Sequence, residues 1–555
     1  MFKKIKKINT VDTKYKTKIE LSKIKEGSNL FNEFIIYKDK ENLSVFDRKC
    51  DHSGGKIISR DGTHICPLHN WKFNPKIGKY NNGVTKRKLK FLKKNDNLII
   101  QNTETIPKLL TTNKLNKVKI RFVNHAFVIF EFENIKFATD PWAIGPAFAN
   151  GWWLKKPTHV DWIKELNSCN FIFVSHNHPD HLNKLTLSKI RRDMLFLIPD
   201  FFTDSTGIFL EELGFKNLFR AKFLYEYKFL NSDLTFCILK SGDFREDSGI
   251  YFTLGKFSAL LDVDSNSINF MRLPKVTFYA SSFAGGSTGF PIVFENYSES
   301  EKKIILNNNI KILKKLKFNN LKKIRPDFFM PYAGFFSEEM ERDKYIKTNN
   351  IKNKIENYKI FCDKNKINLL NVNYYQIFEF EGENLVSQKK QTKNKRLSFE
   401  NKKYFNAIRK NYNQINEKYI KSYFLDSKFE DNLILYISLT NDNFKKIIAM
   451  YKIDFSKELI RFNKIKKISF SKKTVKYLHI TSRVDAFLET VYNKNPWEDL
   501  MIGFQCKIFR IPNEYNIDFW HHFSNIYVTS KNVRTSNKCL KCIKLNQKIV
   551  NEMII

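Results

Sequence analysis

The chain has 555 residues, with 96 Lys and Arg against 57 Asp and Glu, a formal net charge of +39. That length implies several domains with sizeable cores. A hydrophobic content of 42% and an aromatic content of 15% exclude a disordered polymer, and no apolar run reaches the roughly 20 residues that cross a bilayer. The start, MFKKIKKINTVDTKYK, has no apolar core behind its charges and does not read as a secretory signal. Only 17 of the basic residues are Arg, the residue favoured for phosphate forks and base edges. Lys instead travels with Asn, Ile and Phe along the whole chain, so most of the charge reads as compositional background. Nucleic acid is not the expected partner. Eight cysteines in this length make a disulfide scaffold unexpected and point to reducing cytoplasm, where Cys and His clusters are metal ligands.

In chain order, residues 1–103 carry short strand-like runs (NEFIIYK, LSVFDR, GKIIS, LKFLK, NLIIQN) separated by Gly-rich turns, the pattern of an all-β domain. From Val118, VKIRFV, AFVIFEF, IKFATD and NFIFVS read as strands, followed by a His-rich loop and a helix over LNKLTLSKIRRDM. LFLIPD, LTFCILK, GIYFTL, FSALLDVD and KVTFYAS continue the strands, with helices near 204–213 and 300–316. This alternation predicts a layered α/β domain over 115–386. Residues 387–404 (VSQKKQTKNKRLSFENKK) read as a linker or solvated segment, and 405–555 as a mixed α/β region of unassigned role.

Two motifs carry chemistry. Cys50-Asp51-His52 and Cys66-Pro67-Leu68-His69 place two thiols and two imidazoles in one β domain. This is the donor set of a Rieske [2Fe–2S] cluster, with thiolates on one iron and imidazoles on the other. Cys50 and Cys66 are assigned to the first iron, His52 and His69 to the second. A structural zinc site is the alternative, and His64 reads as a loop residue. The surrounding CDHSGGK and CPLHNWKF resemble Rieske ferredoxins and the Rieske domains of oxygenases.

The second motif, VSHNHPDHL, presents His176, His178, Asp180 and His181 after a strand, enough to begin a one- or two-metal centre. It resembles the metallo-β-lactamase superfamily, which implies an αββα sandwich. Asp264, at the end of LLDVD, is the candidate bridging carboxylate in preference to Asp262. Superfamily hydrolases add further histidines downstream, and this chain has none between His181 and His479. Asp243 or Glu246 could stand in for one. Two histidines and a carboxylate would match a mononuclear non-haem iron site with open positions for O₂.

Hydrolysis needs no electrons, so the pairing of an electron port with this domain implies redox chemistry at the second metal. Together with NHAFVIFEF, TDPWAIGPAFANGWWL, SSFAGGSTGFP, MPYAGFF and DKYIKTNN, in that order, the chain resembles the CMP-N-acetylneuraminic acid hydroxylase family across residues 25–385. The resemblance implies a cytoplasmic monooxygenase that converts the N-acetyl group of CMP-N-acetylneuraminate to N-glycolyl with O₂. It further implies electrons from a cytochrome b5-like protein or from a ferredoxin or flavodoxin. The same chemistry on another acylated nucleotide sugar is one alternative. A lactonase or phosphodiesterase with a regulatory Rieske domain is another. Asp140 is a candidate for orienting a ligand His, and Asp180 and His181 are the candidate catalytic pair. His125 is weighed as a core residue or a site residue. Trp142, Trp152, Trp153, Gly285, Gly286 and Gly289 are candidates for lining the substrate, with plain packing and tight turns as the alternative. Arg272 and Lys275 are weaker anion contacts, and Cys539 and Cys542 read as free thiols. Electron transfer between subunits of an oligomer remains open.

Overall fold

The computed structural model describes residues 2–8, 13–104, 109–158, 160–242, 245–265, 275–392, 399–471 and 474–527. Asp243, Arg272, Cys539 and Cys542 lie outside them. The centre of the molecule is two facing eight-stranded sheets. In one, the strands Tyr225–Phe229, Leu234–Lys240, Ser248–Leu254, Phe257–Val263, Phe278–Ser282 and Phe328–Tyr332 are consecutive neighbours. The other is built around Lys117–Asn124, Phe127–Phe132, Ile135–Thr139, Phe171–Phe173 and Phe196–Pro199.

Period-two alternation decides which side chains face which layer. Val128, Phe130 and Phe132 point between the sheets into a core with Phe252, Leu260 and Phe278. Phe127 and Ile129 point the other way and pack under Trp162, Leu166, Leu187 and Leu210 of the outer helices. The opposite outer face is covered by the helix Glu299–Ile324, whose Leu321 and Ile324 are buried. The arrangement is an αββα sandwich, as expected.

The first segment contains a four-stranded sheet of Ile58–Arg60, Thr63–Cys66, Trp71–Asn74 and Lys79–Tyr80. Two three-stranded sheets accompany it, Gly27–Leu30 with Phe34–Asp39 and Asn42–Asp47, and Thr13–Glu20 with Phe91–Lys94 and Asn97–Glu104. Its opening residues go elsewhere: Phe2–Lys7 pairs antiparallel with Tyr225–Phe229 and so extends the sandwich. Phe2 is the reason, since its ring packs among Phe171, Phe219, Phe229 and Phe236. The last region has a five-stranded sheet in which Leu433–Thr440 lies between Ile447–Asp454 and Lys476–Arg483.

Three expectations change. The helix expected over 182–194 is reduced to Lys184–Leu187, capped by the Asn183 side chain, and the rest is turn. The helix expected to end near 316 runs to Ile324, where Arg325 adopts a left-handed cap. The expected linker begins as a strand, because Asn384–Lys389 pairs with Ile377–Glu381.

The C-terminal region and the sandwich share one core, in which Trp142, Phe148, Trp152, Phe290 and Phe336 pack with Trp497, Met501, Phe504 and Trp520. Two glycines permit this. A Cβ on Gly151 would lie 1.9 Å from the Gly503 carbonyl oxygen, and one on Gly503 would lie 1.9 Å from that of Phe148. Beside this contact, Asn150 donates a hydrogen bond to Glu489. Burial pushes the Glu489 carboxyl up to about 7 from its ordinary 4.5. A carboxyl raised in the folded state stabilises fully below its unfolded pKa and loses that contribution as pH rises through the folded value. The window here is therefore about pH 4.5 to 7. Glu489→Gln is expected to raise the melting temperature relative to the parent above this window and not below it, as read by calorimetry at both pH values. Gly151→Ala should destabilise by about 1–3 kcal/mol, because the neighbour it meets is backbone.

Candidate active site

The four residues of the first motif converge at one place. Cys50 follows the strand Asn42–Asp47, and Cys66 closes Thr63–Cys66. Both thiols are buried. The turn holding Cys50 is fixed by its own backbone, with Gly54 N–H donating to the Cys50 carbonyl at 2.9 Å and Cys50 N–H to that of Gly55 at 2.8 Å. A Cβ on Gly55 would lie 2.7 Å from Cys66 Sγ, so the glycine keeps space beside the sulfur. The hydrogen bond with Cys50 holds the Cys66 thiol below the ordinary range against burial, helped by the Leu68 and His69 amides and the Lys86 ammonium. Burial and the same contact hold the Cys50 thiol well above its ordinary range, so the two sulfurs act as a pair.

The His52 and His69 ring centroids are 4.4 Å apart, and His52 stacks on Trp71 at 4.6 Å with 2° between planes. His69 Nδ1 is buried without a hydrogen-bond partner. Burial, with Arg245 and Arg510 nearby, pushes this imidazole down to about 3. A neutral ring with an unused buried nitrogen is a metal ligand in waiting, and the donor set fits a Rieske cluster.

The second motif's residues sit at one end of the sandwich, where the chain leaves its strands. Asp140 follows Ile135–Thr139, the 174–182 loop follows Phe171–Phe173, and Asp264 follows Phe257–Val263. His125 lies in the turn between Lys117–Asn124 and Phe127–Phe132. His125, Asp140 and Val263 have φ of 42°, 42° and 53°, uncommon for residues with a Cβ and a form of strain that collects at functional sites.

Three groups of donors fall within reach of a common ion: His176, His178 and Asp247; His176, His181 and Asp264; and His125, Asp180 and His181. His176 Nε2 and His178 Nδ1 approach to 2.8 Å, while Ser175 Oγ sits 2.9 Å from His176 Nδ1. His181 Nδ1 is 3.2 Å from Asp140 Oδ2, and its Nε2 is 3.4 Å from Asp180 and 3.5 Å from Asp264. Asp140 is itself held, accepting from Ser175 N–H at 2.7 Å and Ser175 Oγ–H at 2.9 Å. Burial works against charge on His181, but Asp180 and Asp140 outweigh it and hold the imidazole well above the ordinary range. Burial and the neighbouring His181 and His178 hold His176 well below it. Asp180 Oδ1 is buried and has no hydrogen-bond partner, a further sign that the donor set is built for a cation.

His125 has a defined tautomer. Phe335 N–H donates to its Nδ1 at 3.2 Å, so the proton of the neutral ring is on Nε2, 3.1 Å from Asp180 Oδ2. In that state His125 donates to Asp180 and orients it. It is not merely a core histidine.

The expected shortage of donors is made up by Asp247, which sequence reasoning passed over in favour of its neighbours in SGDFREDSG. Glu246 turns away and is bound by Thr203 through both N–H and Oγ–H. Asp262 also turns away, accepting from Tyr279 Oη at 2.5 Å. Acid-rich loops carry no sign of which carboxylate points inward, so only the start of the strand Ser248–Leu254 selects Asp247.

One cavity is lined by both donor sets: His52 and His69 on one side, His178, Asp180 and Asp264 on the other. Phe148, Trp152, Phe290 and Phe294 line it, with Arg245 and Arg510 as its cations. An adjoining cavity shares Ser287 and Thr288 and adds Gly285 and Gly286. Trp152 is thus in the wall, its ring stacked 3.5 Å from Phe336. Trp153 is not: it is fully buried with Met340 and Phe405. Trp142 packs on His125 behind the wall. Gly289 packs against Met501, where a Cβ would lie 2.2 Å from its carbonyl oxygen. Lys275 pairs with Asp327 at 2.7 Å. His64 hydrogen-bonds Ser28 at 2.5 Å, away from the cluster residues.

Fold and site together define an enzyme with a Rieske domain and a second candidate metal centre on an αββα sandwich. Residues 5–93 match the family model of the Rieske [2Fe-2S] domain. The chain is similar almost throughout to cytidine monophosphate-N-acetylneuraminic acid hydroxylases. The Mus musculus protein is 28% identical over 91% of this chain and 94% of its own length. The Macaca mulatta protein is 28% identical over 94% and 95%. Among solved structures, CmlA, a diiron β-hydroxylase from Streptomyces venezuelae, matches 49% of this chain and 55% of its own at 16% identity, with a TM-score of 0.32.

Cys66→Ser is expected to abolish the Rieske electron-paramagnetic-resonance signal. Asp247→Ala should leave that signal intact and lower the metal affinity of the second site by about 10–100-fold, as read by metal analysis after dialysis.

Proposed function

We propose that the protein is a Rieske-dependent monooxygenase that hydroxylates the N-acetyl methyl of CMP-N-acetylneuraminate, giving the N-glycolyl sugar nucleotide. The observation that carries this reading is the shared cavity, in which a reactant beside His178, Asp180 and Asp264 also lies beside the cluster ligands. A hydrolase would have no use for that arrangement. The similarity to hydroxylases along nearly the whole chain supports the substrate.

One oxygen atom of O₂ enters the methyl C–H bond, and the other leaves as water with two electrons and two protons. When bound, a [2Fe–2S] cluster on Cys50, Cys66, His52 and His69 supplies those electrons singly, and non-haem iron on the second donor set activates O₂. His176, His178 and Asp247 on one side, with Asp180, His181 and Asp264 on the other, form a donor set sufficient for two ions. Asp140 would hold His181 and His125 would hold Asp180 in the orientation that binding needs.

Arg245 and Arg510 suit the phosphate and carboxylate of the substrate. The 285–288 loop would bring backbone close to it: Gly285 and Gly286 have φ of 69° and 72°, conformations that favour glycine. Trp152 and Phe290 would exclude water from the methyl. In this reading the first segment, apart from the sandwich strand Phe2–Lys7, is the electron port, the sandwich is catalytic, and the described part of the last region closes the cavity. No helix among the described residues is long and apolar enough to cross a membrane, in keeping with a cytoplasmic enzyme. An acidic one-electron carrier suits the net charge of +39.

Anaerobically reduced, iron-loaded protein given O₂ and CMP-N-acetylneuraminate should yield product heavier by one oxygen, as read by mass spectrometry, and His178→Ala should yield none. Lactone or phosphodiester cleavage running equally in oxidised protein would instead establish the hydrolase reading. Reduction by an acidic carrier should slow steeply as ionic strength rises; no salt dependence would leave the charge without that role.

A further inference from the structure

The two donor sets are linked by a second connection besides the cavity, and it is made by the C-terminal region. His178 offers Nδ1 towards His176, leaving Nε2 on the far edge of the ring. Glu498 Oε2 lies 3.8 Å from that Nε2. The other oxygen, Glu498 Oε1, accepts a hydrogen bond of 3.2 Å from Tyr515 Oη. The Tyr515 ring then lies against His52, with centroids 5.8 Å apart and 31° between planes. Trp520, parallel to Tyr515 within 9° at 6.3 Å, backs the ring.

Reached in this way, His52 and His178 are joined by three contacts that run along the wall and not through the space open to substrate. The alternative on the other cluster histidine is poorer. His69 faces Phe290 at 5.8 Å, an apolar side chain at the cavity. Glu498 and Tyr515 therefore offer covalent atoms and one hydrogen bond, broken only by the 3.8 Å step to His178 Nε2 and the ring contact with His52.

We propose that Glu498 and Tyr515 are positioning residues that form the electron bridge between the cluster and the second metal within a single chain. The inference rests on the redox reading given above. With a reduced cluster held by His52 and His69 and ferric iron held by His178, one electron would pass from the first to the second, oxidising the cluster's ferrous site and reducing the His178-bound iron. No bond is made or broken and no proton has to move. The reductant that first charges the cluster is an external one-electron donor.

The test uses full-length protein loaded with cluster and iron, fully oxidised, and a flash of photoreduced deazaflavin to place one electron on the cluster. Decay of the reduced cluster is followed by its visible absorbance and its paramagnetic signal in freeze-quenched samples. The expected result is a first-order decay independent of protein concentration. In Glu498→Gln and in Tyr515→Leu it should be slower by roughly tenfold or more, with signal shape and iron content unchanged. Tyr515→Phe keeps the ring against His52 and loses only the hydrogen bond, and it should fall between the parent and Tyr515→Leu. Rates within about twofold of the parent in all three loaded variants would overturn the bridge, as would transfer whose rate scales with protein concentration. A loaded parent protein that passes no electron at all would overturn the redox reading itself and the bridge with it, an outcome the variants alone cannot mimic.

Discussion

The structure depends on a close approach of backbone to backbone. Gly151, in the loop leaving the sandwich, meets Gly503 of the C-terminal region so tightly that neither position has room for a Cβ. That contact seats a shared apolar core on the sandwich end that carries the metal donors. Without it, the donor loops would open to solvent. With it, Met501, Ile502 and Tyr515 close a cavity whose other walls are the cluster histidines and the second donor set. Apolar walls lower the local dielectric and strengthen every interaction made inside.

Electrostatics within that enclosure is arranged in shells. Imidazoles and carboxylates converge on one space, and behind several sits a group that fixes it: Asp140 behind His181, Ser175 behind Asp140, Phe335 N–H behind His125. Convergence of so many buried donors is costly unless a cation occupies the centre. The strained backbone at His125, Asp140 and Val263 has the same origin, since ordinary strand geometry would not aim these residues inward. The overall charge of the chain contributes little here, because the cationic groups of the cavity are two arginines.

The Rieske motif was legible because its chemistry is local. Two short turns carry all four candidate ligands, and turn-forming Gly54 and Gly55 stand beside them in the sequence. The 174–182 loop was legible for the same reason. The sandwich could be read from strands that alternate or run apolar, such as Leu234–Lys240 and Phe257–Val263. What escaped was decided by long-range pairing. Phe2–Lys7 is a charged run with a single buried residue, and only the aromatic pocket it fills makes it a sandwich strand. The expected helix after the His-rich loop has the right composition, but its residues beyond Leu187 are drawn into turns.

The sequence by itself determined the class of both centres, since the types and spacing of Cys50, His52, Cys66, His69, His176, His178, Asp180 and His181 confine the chemistry to a few metals. It also determined the two-sheet frame, because period-two burial is written into the strands. Tertiary structure alone decided that Asp247 and not Glu246 points inward, that His125 carries its proton on Nε2, and that Trp152 lines the cavity while Trp153 does not. It alone brought Glu498 and Tyr515 between the two centres. The reason is physical: these choices depend on which distant backbone or side chain fills the space beside each residue, and the Phe335 amide, Thr203, Met340 and Gly503 leave no mark in the local sequence of the groups they orient.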